Sequence, residues 1–341
     1  MVKLPVTKLN DFFAAVAASK TLFLPVDNAS GQADYRAWEP GLSLSEALKT
    51  VRSAKDFFFP QTENIVDFKV DGKNIEVIDN RTEADDFVLF GVRGCDAASF
   101  GILDRVYLSD PVDSFYKNRR DHGVVITLAC TKPEATCFCS LFGIDATNPG
   151  GDVSSWIAGD QVYFEPLTPK GEALLASVKD ILAPEASRDA VEAQRAETAK
   201  VMEKLPFANI NKEKFTPENL NELFNAPEWA SLCESCLACG TCTYVCPTCQ
   251  CYDIRDYDTG HGIKRFRCWD SCMYSDFTKM AHGNIRHTQL ERFRQRFMHK
   301  LVYYPSNNEG IYGCVGCGRC VSKCPVSMNI VKVMKTLGED K

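Results

Sequence analysis

No stretch of the 341-residue chain approaches the ~20 consecutive apolar residues that a membrane-spanning helix needs. Positive charge is in deficit: 39 Lys and Arg face 45 Asp and Glu, a net charge of −6. That balance argues against a general nucleic-acid binder and against a chain held on acidic lipid. Lys8 and Asp11 interrupt the place where a signal peptide would need an apolar run, so the expected location is the cytoplasm, where thiols stay reduced. No G-x-G-x-x-G follows a strand-like run and no phosphate-binding loop is present, which removes the common nucleotide-binding enzymes. The five His (122, 261, 282, 287 and 299) lack zinc-protease spacing, and His282 and His287, on either side of Arg286, read as surface residues. No tract is low in complexity, and the first 94 residues contain no cysteine.

Cysteine is what the rest of the chain has in excess. There are 17, an odd number on a scaffold large enough to fold without disulfide staples, so metal or redox chemistry is the expectation. Four lie between Cys95 and Cys139, none in residues 140–232, and thirteen between Cys233 and Cys324. This segregation predicts an α/β domain over residues 1–208, a Pro- and Asn-rich linker over 209–230 and a cysteine-rich domain over 231–341.

The first region reads as α/β. Leu9, Phe12, Phe13 and Val16 fall at helical spacing after Thr7, and residues 43–51 read as a short helix. Asp71-Gly72 between residues 65–70 and 74–78 signals a hairpin. Residues 22–26, 87–92, 124–129 and 161–166 are strand-like, and 97–107 forms a crossover helix that makes a βαβ unit of the middle pair. Residues 168–204 are helical in two pieces divided at Pro184.

One pattern occurs twice. Cys236, Cys239, Cys242 and Cys246-Pro247 are spaced C-x2-C-x2-C-x3-C-P, and Cys314, Cys317, Cys320 and Cys324-Pro325 repeat it. Three thiolates on a tight loop reach three irons of one cubane, and in paired motifs the fourth Cys ligates the other cluster. The spacing therefore assigns Cys236, Cys239, Cys242 and Cys324 to a first [4Fe–4S] centre. It assigns Cys314, Cys317, Cys320 and Cys246 to a second. Gly240, Gly313, Gly316 and Gly318 are read as letting backbone N–H groups approach the sulfides. Zinc hooks also use C-x2-C, but two complete copies ending in Cys-Pro are an iron–sulfur signature.

The 65 or so residues between the copies read as helical, particularly 288–301, and residues 261–300 carry nine Lys or Arg against Asp270, Asp276 and Glu291. Such a segment is either a docking face for an acidic partner, a positive field around the clusters, or a solvated helix face. The long helical spacer resembles the α-helical ferredoxin domain of the iron–sulfur subunits of fumarate and heterodisulfide reductases, so the fold expected is an α/β domain followed by an α-helical ferredoxin-type domain with two [4Fe–4S] clusters.

Nine cysteines lie outside those assignments. Cys233, Cys249, Cys251, Cys268 and Cys272 are candidates for a further metal site, Cys249, Cys251 and Cys272 foremost, or buried small hydrophobes near a cluster; Cys233 continues the x2 spacing but the standard register excludes it. Cys95 and Cys130 each follow a strand of the βαβ unit, at the carboxyl edge where α/β proteins place their sites, and Cys137 and Cys139 follow on the next loop. Four converging thiolates would hold a third [4Fe–4S] centre or a zinc ion, and plain structural cysteines remain the third reading. Asp96 and Asp104 read as capping and solvated charges.

The strings Gly91-Val-Arg-Gly-Cys95-Asp96, Asp104, Tyr116, Arg119-Arg120, Cys130, Cys137-Phe-Cys139, Cys246-Pro-Thr-Cys249-Gln-Cys251, Trp269-Asp-Ser-Cys272 and the Cys314 motif occur in that order. This set resembles the family of sulfhydrogenase beta subunits and of the dicluster electron-transfer subunits of anaerobic sulfite reductases, from about residue 87 onward. The resemblance implies a non-catalytic iron–sulfur subunit in a hetero-oligomer. Such a subunit passes electrons between a catalytic redox partner and a flavin- and NAD(P)-binding subunit. It also implies that Cys95, Cys130, Cys137 and Cys139 act together. A stand-alone reductase with an open N-terminal cluster, and a structural or sensing module with zinc, are the alternatives.

Overall fold

A computed structural model describes residues 1–82 and 84–339. The chain opens with β1 (Val2–Pro5), α1 (Leu9–Ala17), β2 (Thr21–Asp27), β3 (Ala33–Ala37) and the hairpin of β4 (Thr62–Asp71) and β5 (Asn74–Asp79). It continues through β6 (Phe87–Val92), α2 (Gly94–Tyr107), α3 (Ser114–His122), β7 (Gly123–Leu128), β8 (Val153–Ala158), β9 (Gln161–Pro166), α4 (Pro169–Ser177), β10 (Ala183–Pro184) and α5 (Asp189–Met202). Eight of these strands form one mixed sheet in the order β10-β1-β9-β8-β7-β6-β2-β3.

β6 and β7 are parallel neighbours buried along their whole length, as continuous apolar runs in a covered sheet must be. Phe12 and Phe13 of α1 cover one face, with ring centroids 4.8 Å from Phe164 and 4.9 Å from Phe90. Phe58, Phe100 and Tyr116 pack on the other face. The crossover through α2 and α3 thus delivers Cys95 and Cys130 to one edge of the sheet.

Residues 43–51, expected as a helix, contain none. Their carbonyls are used elsewhere: Leu48 O accepts from Arg93 Nε at 2.7 Å and Thr50 O from Arg319 Nε at 3.0 Å. A helix would have consumed both acceptors internally. The helical stretch 168–204 does divide at Pro184, which lies in β10 and pairs with β1.

Residues 209–230, read as a linker, carry α6 (Leu220–Asn225) and the start of α7 (Glu228–Glu234). Ile210, Phe215, Leu223 and Trp229 are buried with Phe293, Phe297 and Met334 in the largest apolar cluster of the C-terminal half.

The cysteine motifs sit around α8 (Thr241–Tyr244), α9 (Gln289–Met298), α10 (Tyr304–Asn307), α11 (Arg319–Lys323) and α12 (Ile330–Gly338). α9 begins with a reciprocal cap: Glu291 N donates to Thr288 Oγ1 at 3.3 Å and Thr288 N to Glu291 Oε2 at 2.8 Å. The helix continues through a wide π turn at His299–Tyr303.

The spacer is not helical throughout. β11 (Tyr252–Asp258) and β12 (Ile263–Trp269) form a hairpin, and β12 pairs antiparallel with β4, giving a sheet of order β11-β12-β4-β5. Tyr, Ile, Phe and Trp favour strands, and Gly260 and Gly262 turn the chain with positive φ. A Cβ on Gly262 would stand 2.4 Å from Phe68 O, so this turn is also moulded to the N-terminal hairpin.

Candidate metal centres

Cys95 lies in the first turn of α2, and Cys130 follows β7, its N–H bonded to Ala146 O at 2.9 Å. Cys137 and Cys139 come from the loop beyond Pro133, where Phe138 N donates to Gly316 O at 2.9 Å. All four cysteines line one small pocket. Burial raises the thiols of Cys95 and Cys130, and burial with the neighbouring Cys130 and Cys137 brings Cys139 up to about 12. A cofactor bound here would have to displace those protons.

The first repeat also forms a cavity. Cys236, Cys239, Cys242 and Cys324 line a second small pocket with Met273 and Met328. Cys324 is the distant member, fixed by Met328 N, which donates to its Sγ at 3.2 Å. Cys239 is exposed, and a hydrogen bond from Thr241 lowers its thiol below the ordinary cysteine range. Beside it Leu237 is 64% exposed.

Around the second repeat, Thr248 ties the two motifs together. Its Oγ1 lies 3.2 Å from Cys246 Sγ and donates to Gly313 O at 2.7 Å, next to Cys314. Cys246 is close enough to raise the thiols of Cys314, Cys317 and Cys320 electrostatically, though burial is the larger cause for each. The three sets are contiguous. Cys317, of the second set, also lines the N-terminal cavity.

The glycines also serve close packing. A Cβ on Gly316 would stand 2.4 Å from Phe138 O, and one on Gly318 2.2 Å from Thr136 O. Both keep the second motif pressed against the N-terminal cysteine loop. On Gly240 a Cβ would meet the Tyr274 hydroxyl at 2.2 Å, and on Gly313 the Lys300 Cα at 3.1 Å.

Charge crosses the same seam. Asp96 is not a solvated cap: it is 1% exposed and accepts a forked pair from Arg319, Nη2 to Oδ2 at 2.7 Å. Asp104 is likewise engaged, accepting from Tyr116 Oη at 2.7 Å and Arg120 Nε at 2.8 Å. Lys49 Nζ bonds Cys317 O at 2.8 Å, lies 3.5 Å from Cys137 Sγ and pairs with Glu134 at 3.0 Å. Arg93 spends its donors on the carbonyls of Leu48, Leu128 and Ala129. Sequence reasoning gave Lys49, Arg93 and Arg319 no role because lysine and arginine carry no motif of their own; the signals present were Arg93 in the string before Cys95 and Arg319 inside the Cys317–Cys320 loop.

Cys249, Cys251 and Cys272 are drawn into the same interior. Cys249 packs on Cys246, and Cys251 on Cys272. Among the described residues no group of three or more His, Cys, Asp or Glu is drawn together tightly enough to hold a single metal ion. Cys233 is buried in the apolar cluster beside Phe293, and Cys268 sits on β12, partly exposed.

The basic helix face is not a free docking surface. Arg292 bonds the carbonyls of Met273, Arg286 and His287, Arg294 bonds Phe224 O and lies 3.6 Å over the Phe224 ring, and Arg296 and Lys300 are buried. The residues left exposed are Lys264, Arg265 and Lys279.

Residues 235–328 match the family model described as a 4Fe-4S dicluster domain. No helix among the described residues is long and apolar enough to cross a membrane. No solved structure matches the chain. Sulfhydrogenase 2 subunit beta of Pyrococcus furiosus is 33% identical over 302 residues, covering 87% of this chain and 86% of that protein. Kinship of that extent, together with the 4Fe-4S dicluster domain, places the chain in the sulfhydrogenase beta-subunit family.

Proposed function

We propose that the chain relays electrons through three [4Fe–4S] centres, between a catalytic redox partner and a flavin- and NAD(P)-binding subunit of a hetero-oligomeric complex. The observation that carries this reading is contiguity: Cys317 belongs to the second ligand set and also lines the cavity of the N-terminal one. Cys95, Cys130, Cys137 and Cys139 would hold one cluster. Cys314, Cys317, Cys320 and Cys246 would hold the next, and Cys236, Cys239, Cys242 and Cys324 the last. These clusters supply one-electron chemistry when bound; the protein's part is to hold them in line and exclude water from all but the Cys239 edge.

Contact with the second ligand set, whose Cys317 lines the same pocket, supports a cluster over a lone zinc ion at the N-terminal site. Four thiols rather than three line it, which leaves no open iron for a stand-alone reductase. The relative's name, a sulfhydrogenase subunit, supports a hydrogenase-type partner.

Iron, labile sulfide and zinc counted per chain after anaerobic purification test the reading. About twelve iron and no zinc are expected. The Cys137→Ser variant should lose or convert one centre and keep the other two. About eight iron with one zinc, or an unchanged set of reduction signals in Cys137→Ser, would overturn the third centre.

A further inference from the structure

Arg296 and Lys300 lie one turn apart on the same face of α9 and its π turn, at 3% and 5% exposure. Arg296 Nη2 bonds Cys242 O at 2.6 Å, and Nη1 bonds Cys249 Sγ at 3.3 Å. Its Nε is buried with no partner. Lys300 Nζ bonds Thr248 Oγ1 at 2.7 Å and Gly313 O at 3.0 Å, between Cys246 and Cys314. From the N-terminal half Lys55, 2% exposed, reaches Cys249 O at 3.0 Å and lies 3.5 Å over the Trp269 ring. None of the three has a carboxylate partner among the described residues.

Unpaired buried cations are costly, and proteins hold them where an anion repays the desolvation. Here the groups they touch are a cysteine sulfur and the carbonyls beside the ligand cysteines, and the ligand sulfurs become anionic once a cluster binds.

The N-terminal site is built the other way. Lys49 is neutralised by Glu134 and Arg319 by Asp96, and only Arg93, half-buried, brings an uncompensated charge. Both sites hold four cysteines, so the ligand charge is equal and the surrounding charge differs.

We infer that Lys300, seated between Cys246 and Cys314 and backed by Arg296 and Lys55, makes the second cysteine set hold an added electron in preference to the N-terminal set, so that the step between them runs downhill toward the C-terminal half. An added electron brings one more negative charge to the set that receives it. A low-dielectric interior whose buried cations lack carboxylate partners stabilises that charge more than one whose cations are mostly neutralised. This rests on the relay reading, and gives it a direction at one junction.

The test is a redox titration followed by electron paramagnetic resonance on anaerobically purified full-length protein. The second centre's signal is assigned by its change in Cys246→Ser, and the N-terminal one by its change in Cys137→Ser. In the parent protein the second centre should be reduced at the less negative potential. Lys300→Met should move that centre alone to more negative potential, lowering its reduced-to-oxidised ratio at a fixed potential on the order of tenfold. Lys300→Arg should restore it, a rescue that a packing role would not give. Lys49→Met, which also frees Glu134, serves as the comparison at the N-terminal site. If Lys300→Met loses iron, Lys55→Met takes its place with the same expected direction.

A second centre reduced at the more negative potential in the parent, or one unmoved in a variant of full iron content, would overturn the inference and leave the relay intact. Failure of the relay reading itself would show differently, as missing iron in the parent protein.

Discussion

Gly316 occupies a position that no other residue can fill without moving a neighbour. Its φ is +59°, and an added Cβ would stand 2.4 Å from Phe138 O and 2.7 Å from Cys139 Cα. Gly316→Ala should therefore push the Cys314–Cys320 loop away from the N-terminal loop. The expected result is loss of iron from the N-terminal centre first, with the first repeat's centre retained; iron counts and resonance spectra of the variant check it. Unchanged iron would show that the loops need no such contact. The repeated spacing was enough to single out Gly316 as important but not to say why, because a spacing describes one loop and the constraint comes from another. The same holds for Asp96: its neighbour Cys95 stood out in sequence as a candidate ligand, while its partner Arg319 lies 223 residues away. Sequence alone had placed Asp96 in water.

Among the elements, α9 and its π turn show what patterning can and cannot disclose. The reciprocal Thr288–Glu291 cap and the buried Phe293 and Phe297 follow from helix spacing, and that helix was expected. Which way its arginines point was not, since a basic run reads the same whether it meets solvent, a partner or buried thiols. The π turn holds His299 half-buried beside two cations. Burial, then Lys300 and Arg296, bring His299 down to about 4. A histidine whose folded value lies below its unfolded value of about 6.5 contributes its full stability above that pH and loses it as pH falls toward 4. His299→Gln should thus flatten the fall in melting temperature between pH 6.5 and 5.5, a difference of about 1 kcal/mol at the lower end. Parallel acid slopes in the two proteins would show that His299 is not the titrating group. The spacer hairpin of β11 and β12 was the element misread as helix. Its alternation is real, but basic residues at 264, 265 and 267 masked it, and the strand partner that decides the matter lies in β4.

At the scale of the whole molecule, the cysteine distribution suggested two successive domains, and the chain's packing runs across that division. β12 pairs with β4, Arg267 bonds Glu63 at 2.6 Å with both buried, and Trp269 Nε1 donates to Phe59 O at 3.1 Å. Arg319–Asp96 and Lys49–Cys317 repeat the crossing at the centres. Burying Arg267 and Arg319 is tolerable only while their carboxylates face them, so a separated half would expose or strand charges at every one of these contacts. A chain cut at residues 209–230 should therefore give an N-terminal piece that is poorly folded alone and a C-terminal piece with unstable clusters. Co-expressed, the two pieces should recover both iron and slow amide exchange in β4 and β12. Two pieces that each keep native exchange rates and native iron would mean the interface is dispensable. The positions of α6, α7 and the buried Ile210, Phe215, Leu223 and Trp229 predict the opposite, because they fasten the second half's apolar cluster directly onto the chain leaving α5. For the proposed relay this construction matters, because three cysteine sites carried by interleaved halves keep their separations against a hinge motion of one domain on another.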